Sequence, residues 1–187
     1  LVNRVSTVFN AEQIEGIPEY KLDVNNLEFE LDEAMENLIE NMQIEIFHKG
    51  NKAVYFPEED FIIIPEERQF KSEYDYKSTL LHELAHATGH PSRLDRDIQH
   101  KFGSKEYAKE ELRAEIASSF LCQEFHLDPS EDNLDNHKAY IQSWIGILKN
   151  DSSELFKSIK DANKISDYML EKSDLVNLKN KNLEQVL

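Results

Sequence analysis

Apolar residues recur at a helical interval from residue 30 onward. Leu31, Ala34, Met35, Leu38, Ile39 and Met42 share one stripe, and the spacing predicts a helix from Glu30 to Met42. The pattern then shortens. Ile44–His48, Ala53–Phe56 and Phe61–Ile64 are brief runs rich in β-branched and aromatic residues, and each predicts a strand. Lys49-Gly50-Asn51 and Pro57-Glu58-Glu59-Asp60 separate them with the composition of hairpin turns. Helical spacing returns at Leu80, Leu81, Leu84 and Ala85, in a helix over about Ser72–Thr88 that Gly89 terminates and Pro91 keeps from continuing. Leu112, Ile116, Ala117, Phe120 and Leu121 predict a second helix over about Lys105–Phe125. Two more follow. One covers Ser130–Asn150, with Trp144, Ile141, Ile145 and Leu148 as its core face; the other covers Ser152–Lys172, with Asp151-x-x-Glu154 as a cap. Residues 1–29 read as irregular, apart from a short strand at Val5–Phe9 and a turn at Gly16-Ile17-Pro18. Strands grouped before a run of helices predict an α+β fold: a small, mainly antiparallel sheet, then a central helix and three further helices.

Composition narrows this picture. A chain of 187 residues suits one domain with a sizeable core, and 40% hydrophobic content with five Gly and five Pro excludes a disordered segment. The single cysteine, Cys122, permits no internal disulfide and falls on an apolar helix face, as a buried inert thiol does. No secretory h-region or membrane-length apolar run is present, so a cytoplasmic protein is expected. The chain opens on Leu1, as a fragment or processed product would. The net charge of −16, from 37 acids and 21 bases, repels phosphate backbones and speaks against nucleic-acid binding by this chain alone.

The candidate chemistry lies in the helix over Ser72–Thr88. His82-Glu83-Leu84-Ala85-His86 has the spacing H-E-x-x-H. Histidines four apart lie one turn apart on one helical face, so both rings can bind a single Zn²⁺, with Glu83 beside the metal's open position as general base. A bare motif of this kind arises by chance in roughly one chain in a few hundred, and a surface helix that happens to carry two His and a Glu is the alternative. A third ligand decides between them. The long-arm pattern with a His six residues beyond the second one fails, because that position is Ser92. A Glu from a later helix is the other solution. Glu111 and Glu115 are four apart on the next helix, so both carboxylates share a face. The pair resembles the E-x-x-x-D of thermolysin-like peptidases, in which the first acid is the ligand. Glu111 is therefore read as the third metal ligand and Glu115 as the group orienting a histidine, with the reverse assignment left open. A charged solvated face is the plainer reading of both acids, but it leaves zinc with two ligands only.

Other side chains are weaker candidates. Arg93 could bind a substrate carbonyl or carboxylate, or join Asp95, Arg96 and Asp97 in a salt-bridged loop. Tyr55, Tyr74, Tyr76 and Tyr107 could each offer an oxyanion-stabilising hydroxyl or serve packing. The strand Ala53–Phe56 is a candidate sheet edge for an extended peptide. His48, His100, His126 and His137 have no partners at ligand spacing.

Several separated segments carry a family resemblance: Ser78-Thr79-Leu80-Leu81 leading into the motif, Ala87-Thr88-Gly89-His90 and Ser92-Arg93-Leu94-Asp95-Arg96-Asp97 after it, Tyr107-Ala108-Lys109-Glu110-Glu111-Leu112-Arg113-Ala114-Glu115, Ala139-Tyr140-Ile141-Gln142-Ser143-Trp144, Lys149-Asn150-Asp151 and Asp167-Tyr168. Together they resemble the C-terminal metallopeptidase domain of ArdC-type antirestriction proteins, which is shared with TraC-like plasmid primases and phage polyvalent proteins. The resemblance implies a zincin-like fold over residues 30–187, a Zn²⁺ site, and a role on mobile elements in shielding incoming DNA from restriction. Val8-Phe9-Asn10-Ala11-Glu12-Gln13-Ile14-Glu15-Gly16 resembles the junction after that family's N-terminal single-stranded-DNA-binding domain. Residues 1–29 are accordingly expected to be a linker following such a domain, which this chain lacks. Two functions follow. One is a zinc-dependent metallopeptidase acting on a peptide or protein, with single-stranded DNA bound only through the missing domain and no membrane partner. The alternative is a non-catalytic zinc-binding module assisting a DNA-binding neighbour. An intact Glu83 favours the first, since a structural site needs no general base.

Overall fold

The computed structural model describes residues 16, 24–127, 144, 145, 148, 149, 151–175, 177 and 178. Helix α1 (Val24–Met42) leads into strands β1 (Glu45–His48), β2 (Val54–Phe56) and β3 (Phe61–Ile64); helices α2 (Glu73–Ala87), α3 (Lys105–Glu124) and α4 (Ser153–Ser173) follow. The α+β order expected from the sequence is borne out, with α1 starting at Val24 rather than Glu30. The short strand expected at Val5–Phe9 and most of the helix expected over Ser130–Asn150 lie outside the described residues. Within the latter, residues 144, 145, 148 and 149 are helical. Trp144 is buried as expected, whereas Ile145 is 43% exposed.

The sheet order is β1-β3-β2. Phe61-Ile62-Ile63-Ile64 is apolar throughout, as a central strand flanked on both sides requires. It pairs antiparallel with β2, with Tyr55 opposite Ile62, and parallel with β1, with Ile46 opposite Ile62. The second expected hairpin is therefore real. It closes through an Asp60 N–H to Phe56 carbonyl bond of 2.9 Å, with Asp60 at φ 56, a left-handed position that Asp tolerates. The first expected hairpin is not formed. The chain passes from β1 to the far edge and leaves a slot that β3 fills, and the Lys49 N–H bonds the Ile64 carbonyl at 2.9 Å. The sheet is mixed, and β2 is an edge strand, as Ala53–Phe56 was expected to be.

Helix α2 packs against β2 and β3 on one side and against α3 on another, while α4 packs against α3 and α1. Leu38, Ile62, Ile64, Leu80, Leu81, Leu84, Leu121, Ile165 and Met169 form the centre of this core. The α2 start is fixed by Ser72, whose Oγ accepts the Asp75 N–H at 3.1 Å, and Ser104 caps α3 in the same way toward Tyr107. Gly89 follows α2 for a reason other than helix termination. A Cβ there would come within 2.4 Å of the Ile98 Cγ2, so only glycine lets the following loop fold back against the helix end. Asp151 does cap α4: its Oδ1 accepts from the Ser153 N–H at 3.0 Å and from the Ser153 hydroxyl at 2.6 Å. Glu154 turns inward instead, toward Arg113 at 3.2 Å. Among the described residues no helix is long and apolar enough to cross a membrane.

Candidate metal centre

The helical period of α2 sets His82 and His86 one turn apart, and their Nε2 atoms lie 3.1 Å from each other. The α2–α3 packing brings Glu111 opposite them. Its Oε2 is 3.6 Å from the His82 Nε2 and its Oε1 is 3.4 Å from the His86 Nε2. Each of the three residues offers a donor atom within 4.8 Å of the others. A divalent ion held tetrahedrally at about 2.0–2.2 Å keeps its donors about 3.3–3.6 Å apart, so the observed separations fit one ion. Among the described residues no fourth Cys, His, Asp or Glu joins this group.

The tautomers agree with that reading. The His82 Nδ1 is 3.3 Å from Glu115 Oε2, and the His86 Nδ1 is 3.3 Å from Glu110 Oε1. A carboxylate can only accept, so each Nδ1 carries the proton, and both Nε2 lone pairs converge on one point with the Glu111 carboxylate. Only a cation relieves that arrangement. Without a metal, a proton serves. Burial works against charge on His82, but the Glu111 and Glu115 carboxylates outweigh it and raise its pKa to about 10. The His86 pKa is raised in the same way, with Glu110 and Glu111 overcoming burial. Glu111 is the counterpart: burial opposes its ionisation, yet the two imidazoles hold it well below the usual carboxylate range.

Glu115 is the orienting acid expected for one histidine, and the second histidine has one that was not expected. Glu110 stands behind His86 and is itself clamped by Arg96, whose Nη1 donates to both carboxylate oxygens at 2.7 and 2.6 Å. The Arg96 Nη2 also donates to the Ala85 carbonyl at 2.8 Å, tying the clamp to the motif helix. Burial disfavours the Glu110 anion, and His86 with Arg96 more than restores it. The unassigned Nδ1 of the second histidine was the signal available in the sequence. Glu111→Gln should weaken metal binding well beyond the roughly 10–100-fold expected for Glu110→Gln or Glu115→Gln, which each remove a carboxylate behind a ring. Competition against a fluorescent chelator measures all three, and a larger loss for Glu115→Gln reverses the assignment of ligand and orienter.

Glu83 is buried beside this centre, and its Oε2 accepts the main-chain N–H of Tyr55 at 2.8 Å. That bond comes from β2, so the edge strand and the motif helix meet at the carboxylate. A cleft of about 840 Å³ opens there, lined by β2, α2, α3 and the loop through Ile98 and His100. Tyr74 and Tyr107 line it, whereas the Tyr76 hydroxyl is 2.9 Å from the His48 Nε2 outside it. The Tyr55 hydroxyl is engaged elsewhere, donating to Asp60 at 2.8 Å. Cys122 also borders the cleft. Burial and the nearby Glu115 push its thiol up to about 12, which keeps it protonated and inert as expected.

Arg93, expected either to bind substrate or to join a salt-bridged loop, is not among the residues lining the cleft. Its guanidinium is buried behind the β2–β3 turn, paired with both Asp60 oxygens, and its Nε donates to the Ala87 carbonyl at 2.6 Å. A side chain with its donors spent on a partly buried acid and a helix terminus fixes the turn to α2.

Known proteins resemble this chain in sequence and fold. The sequence profile described as a zincin-like metallopeptidase matches residues 33–161. Over 168 residues the chain is 46% identical to a protein named DNA primase TraC from Escherichia coli, covering 88% of this chain and 15% of the primase. It is 36% identical over 169 residues to the uncharacterized protein y4eC of Sinorhizobium fredii, covering 90% of this chain and 54% of that one. Among solved structures, the Mn(II)-bound crystal structure of the antirestriction protein ArdC from plasmid R388 matches with a TM-score of 0.67 and 36% identity, covering 90% of this chain and 62% of ArdC. The chain thus spans less than two thirds of the length of each of these relatives. The ArdC and TraC resemblance carried by the sequence motifs is borne out, and the chain belongs to the zincin-like metallopeptidase family.

Proposed function

We propose that this domain is a zinc-dependent peptide-bond hydrolase, acting within an ArdC-like antirestriction protein of a mobile element. The observation that carries the reading is Glu83: a buried carboxylate next to a three-donor metal group, with Oε2 held by the Tyr55 N–H and Oε1 without a hydrogen-bond partner among the described residues. His82, His86 and Glu111 would hold Zn²⁺, a metal suited to two imidazoles and a carboxylate, which when bound supplies a Lewis acid and an acidified water. Glu83 Oε1 takes the proton of the attacking water and delivers it to the departing amine. Glu115 and Glu110 hold the two rings in the tautomer that leaves each Nε2 unprotonated. The outward main-chain groups of β2 align an extended substrate beside Glu83. Substrate profiling of the zinc-loaded chain, with Glu83→Gln as control, tests the reading.

The second reading, a non-catalytic zinc module that supports a DNA-binding neighbour, is favoured by the name of the primase relative. On either reading we assign contact with single-stranded DNA to a separate N-terminal domain, with residues 1–29 as the junction and 30–187 as the zincin-like unit in a cytoplasmic protein. Lys157, Lys160 and Lys164 recur at helical spacing on α4, but acids interrupt that face: Lys157 is 3.5 Å from Asp151 and 3.7 Å from Glu154, and Lys164 is 3.8 Å from Asp161. With a net charge of −16, this chain should bind a labelled oligonucleotide no tighter than about 10⁻⁴ M at physiological salt. Micromolar binding that weakens steeply with salt would overturn that assignment and favour the DNA-assisting role.

A further inference from the structure

The lining of the cleft is rich in acidic side chains. Six glutamates line it and no Lys or Arg does, among the described residues. Three of the six are matched: Glu110 by Arg96, Glu115 by His82, and Glu111 by the two imidazoles or an ion between them. Of the remaining three, Glu83 on the floor interacts with His82, whereas Glu58 and Glu59 at the mouth face no Lys or Arg of the lining. Glu58 and Glu59 are exposed and make no ion pair among the described residues.

The turn carrying these two acids is anchored at its last residue. Asp60 is locked by Arg93 and by the Tyr55 hydroxyl, so Glu58 and Glu59 are held at the end of β2, where that strand leaves the cleft. From Tyr55, whose N–H meets Glu83, to Glu58 is three residues, the last two in the turn, so the two lie no more than about 10 Å apart along the chain. Phe56 and Pro57 line the intervening wall and offer apolar surface. Lys and Arg side chains suit such a place, with the aliphatic stem along the wall and the charged head at the rim. A phosphate backbone or an acidic side chain meets repulsion there instead.

We propose that the cleft selects extended peptide segments with Lys or Arg within about three residues of the bond lying over Glu83, read by Glu58 and Glu59; this rests on the peptidase reading. Anisotropy titrations of the zinc-loaded Glu83→Gln protein separate binding from turnover. The probes are fluorescein-labelled decapeptides, identical except for Lys-Lys, Gln-Gln or Glu-Glu at the centre. The Lys peptide should bind about tenfold more tightly than the Gln peptide at low salt, and the Glu peptide more weakly than either. Raising the salt should shrink that ratio, and adding Glu58→Gln and Glu59→Gln should bring it close to one. Equal affinities, a ratio that survives the double substitution, or no measurable binding of any probe would each overturn the proposal. Peptide-library cleavage by the wild-type protein separates the two readings. A Lys preference in binding with no cleavage removes the peptidase reading alone, whereas cleavage without enrichment of Lys or Arg removes the proposed selectivity alone.

Discussion

Glu83→Gln should lower kcat/KM for peptide cleavage by the zinc-loaded chain by about a thousandfold, while metal stoichiometry stays at that of the wild type. The size follows from the role: a positioned general base that also returns the proton contributes about 10²–10⁴-fold. Gln is the informative substitution because it keeps the local geometry. Its side-chain carbonyl can still accept the Tyr55 N–H that Glu83 Oε2 accepts at 2.8 Å. It cannot take a proton from water at neutral pH. Glu83 is not among the three clustered metal donors, so the metal site itself should be untouched. The comparison needs kcat/KM on a cleaved peptide together with metal content by mass spectrometry. A variant with more than about a tenth of wild-type activity would remove Glu83 from the chemistry. A variant that loses its metal would show that Glu83 acts on the site's integrity instead.

Chelation should lower the melting temperature by about 5–16 °C. An ion bound only by the folded state at 100–1,000 times its Kd adds about 2.7–4.1 kcal/mol, and a domain of this size moves about 2–4 °C per kcal/mol. Removing the ion leaves two ring nitrogens 3.1 Å apart, facing a buried carboxylate. The loss should depend on pH, with a definite sign. The metal-free folded state holds the His82 pKa near 10, against an ordinary value of 6.5. A pKa raised on folding stabilises fully below the unfolded value, and that stabilisation fades as pH rises through the folded one. The metal-bound state carries neutral imidazoles and does not share this loss. The drop in Tm on chelation should therefore widen between about pH 6.5 and 9. His86→Ala removes one of the three donors, and its Tm should respond to chelator by no more than about 2 °C. Because truncation has its own cost, the reading is the difference with and without chelator within each protein. A wild-type Tm indifferent to chelator, or a His86→Ala protein that responds in full, would separate this cluster from metal binding.

The two largest effects fall on residues that were legible for a simple reason. His82, Glu83 and His86 belong to one helix, and a helical period converts spacing directly into direction. The sequence by itself thus determined the motif helix, the α+β order, the turn that closes at Asp60, and the short strand preceding it that forms a sheet edge. It also delivered Glu111 and Glu115 to one face of α3. Which acid meets which nitrogen was decided by the angle and depth at which α3 packs on α2, and no local rule contains that. The same packing placed Glu110 behind His86, a role invisible in a run of two glutamates. Tertiary structure also set the fates of two arginines three residues apart. Arg96 reaches Glu110 and supports the metal site, while Arg93 is buried on Asp60 and never sees the cleft. The strand order is the remaining example. Hydrophobic spacing gives each strand its faces but not its neighbours, because pairing joins segments distant in sequence, and here β3 enters between two strands that the turn composition had paired with each other.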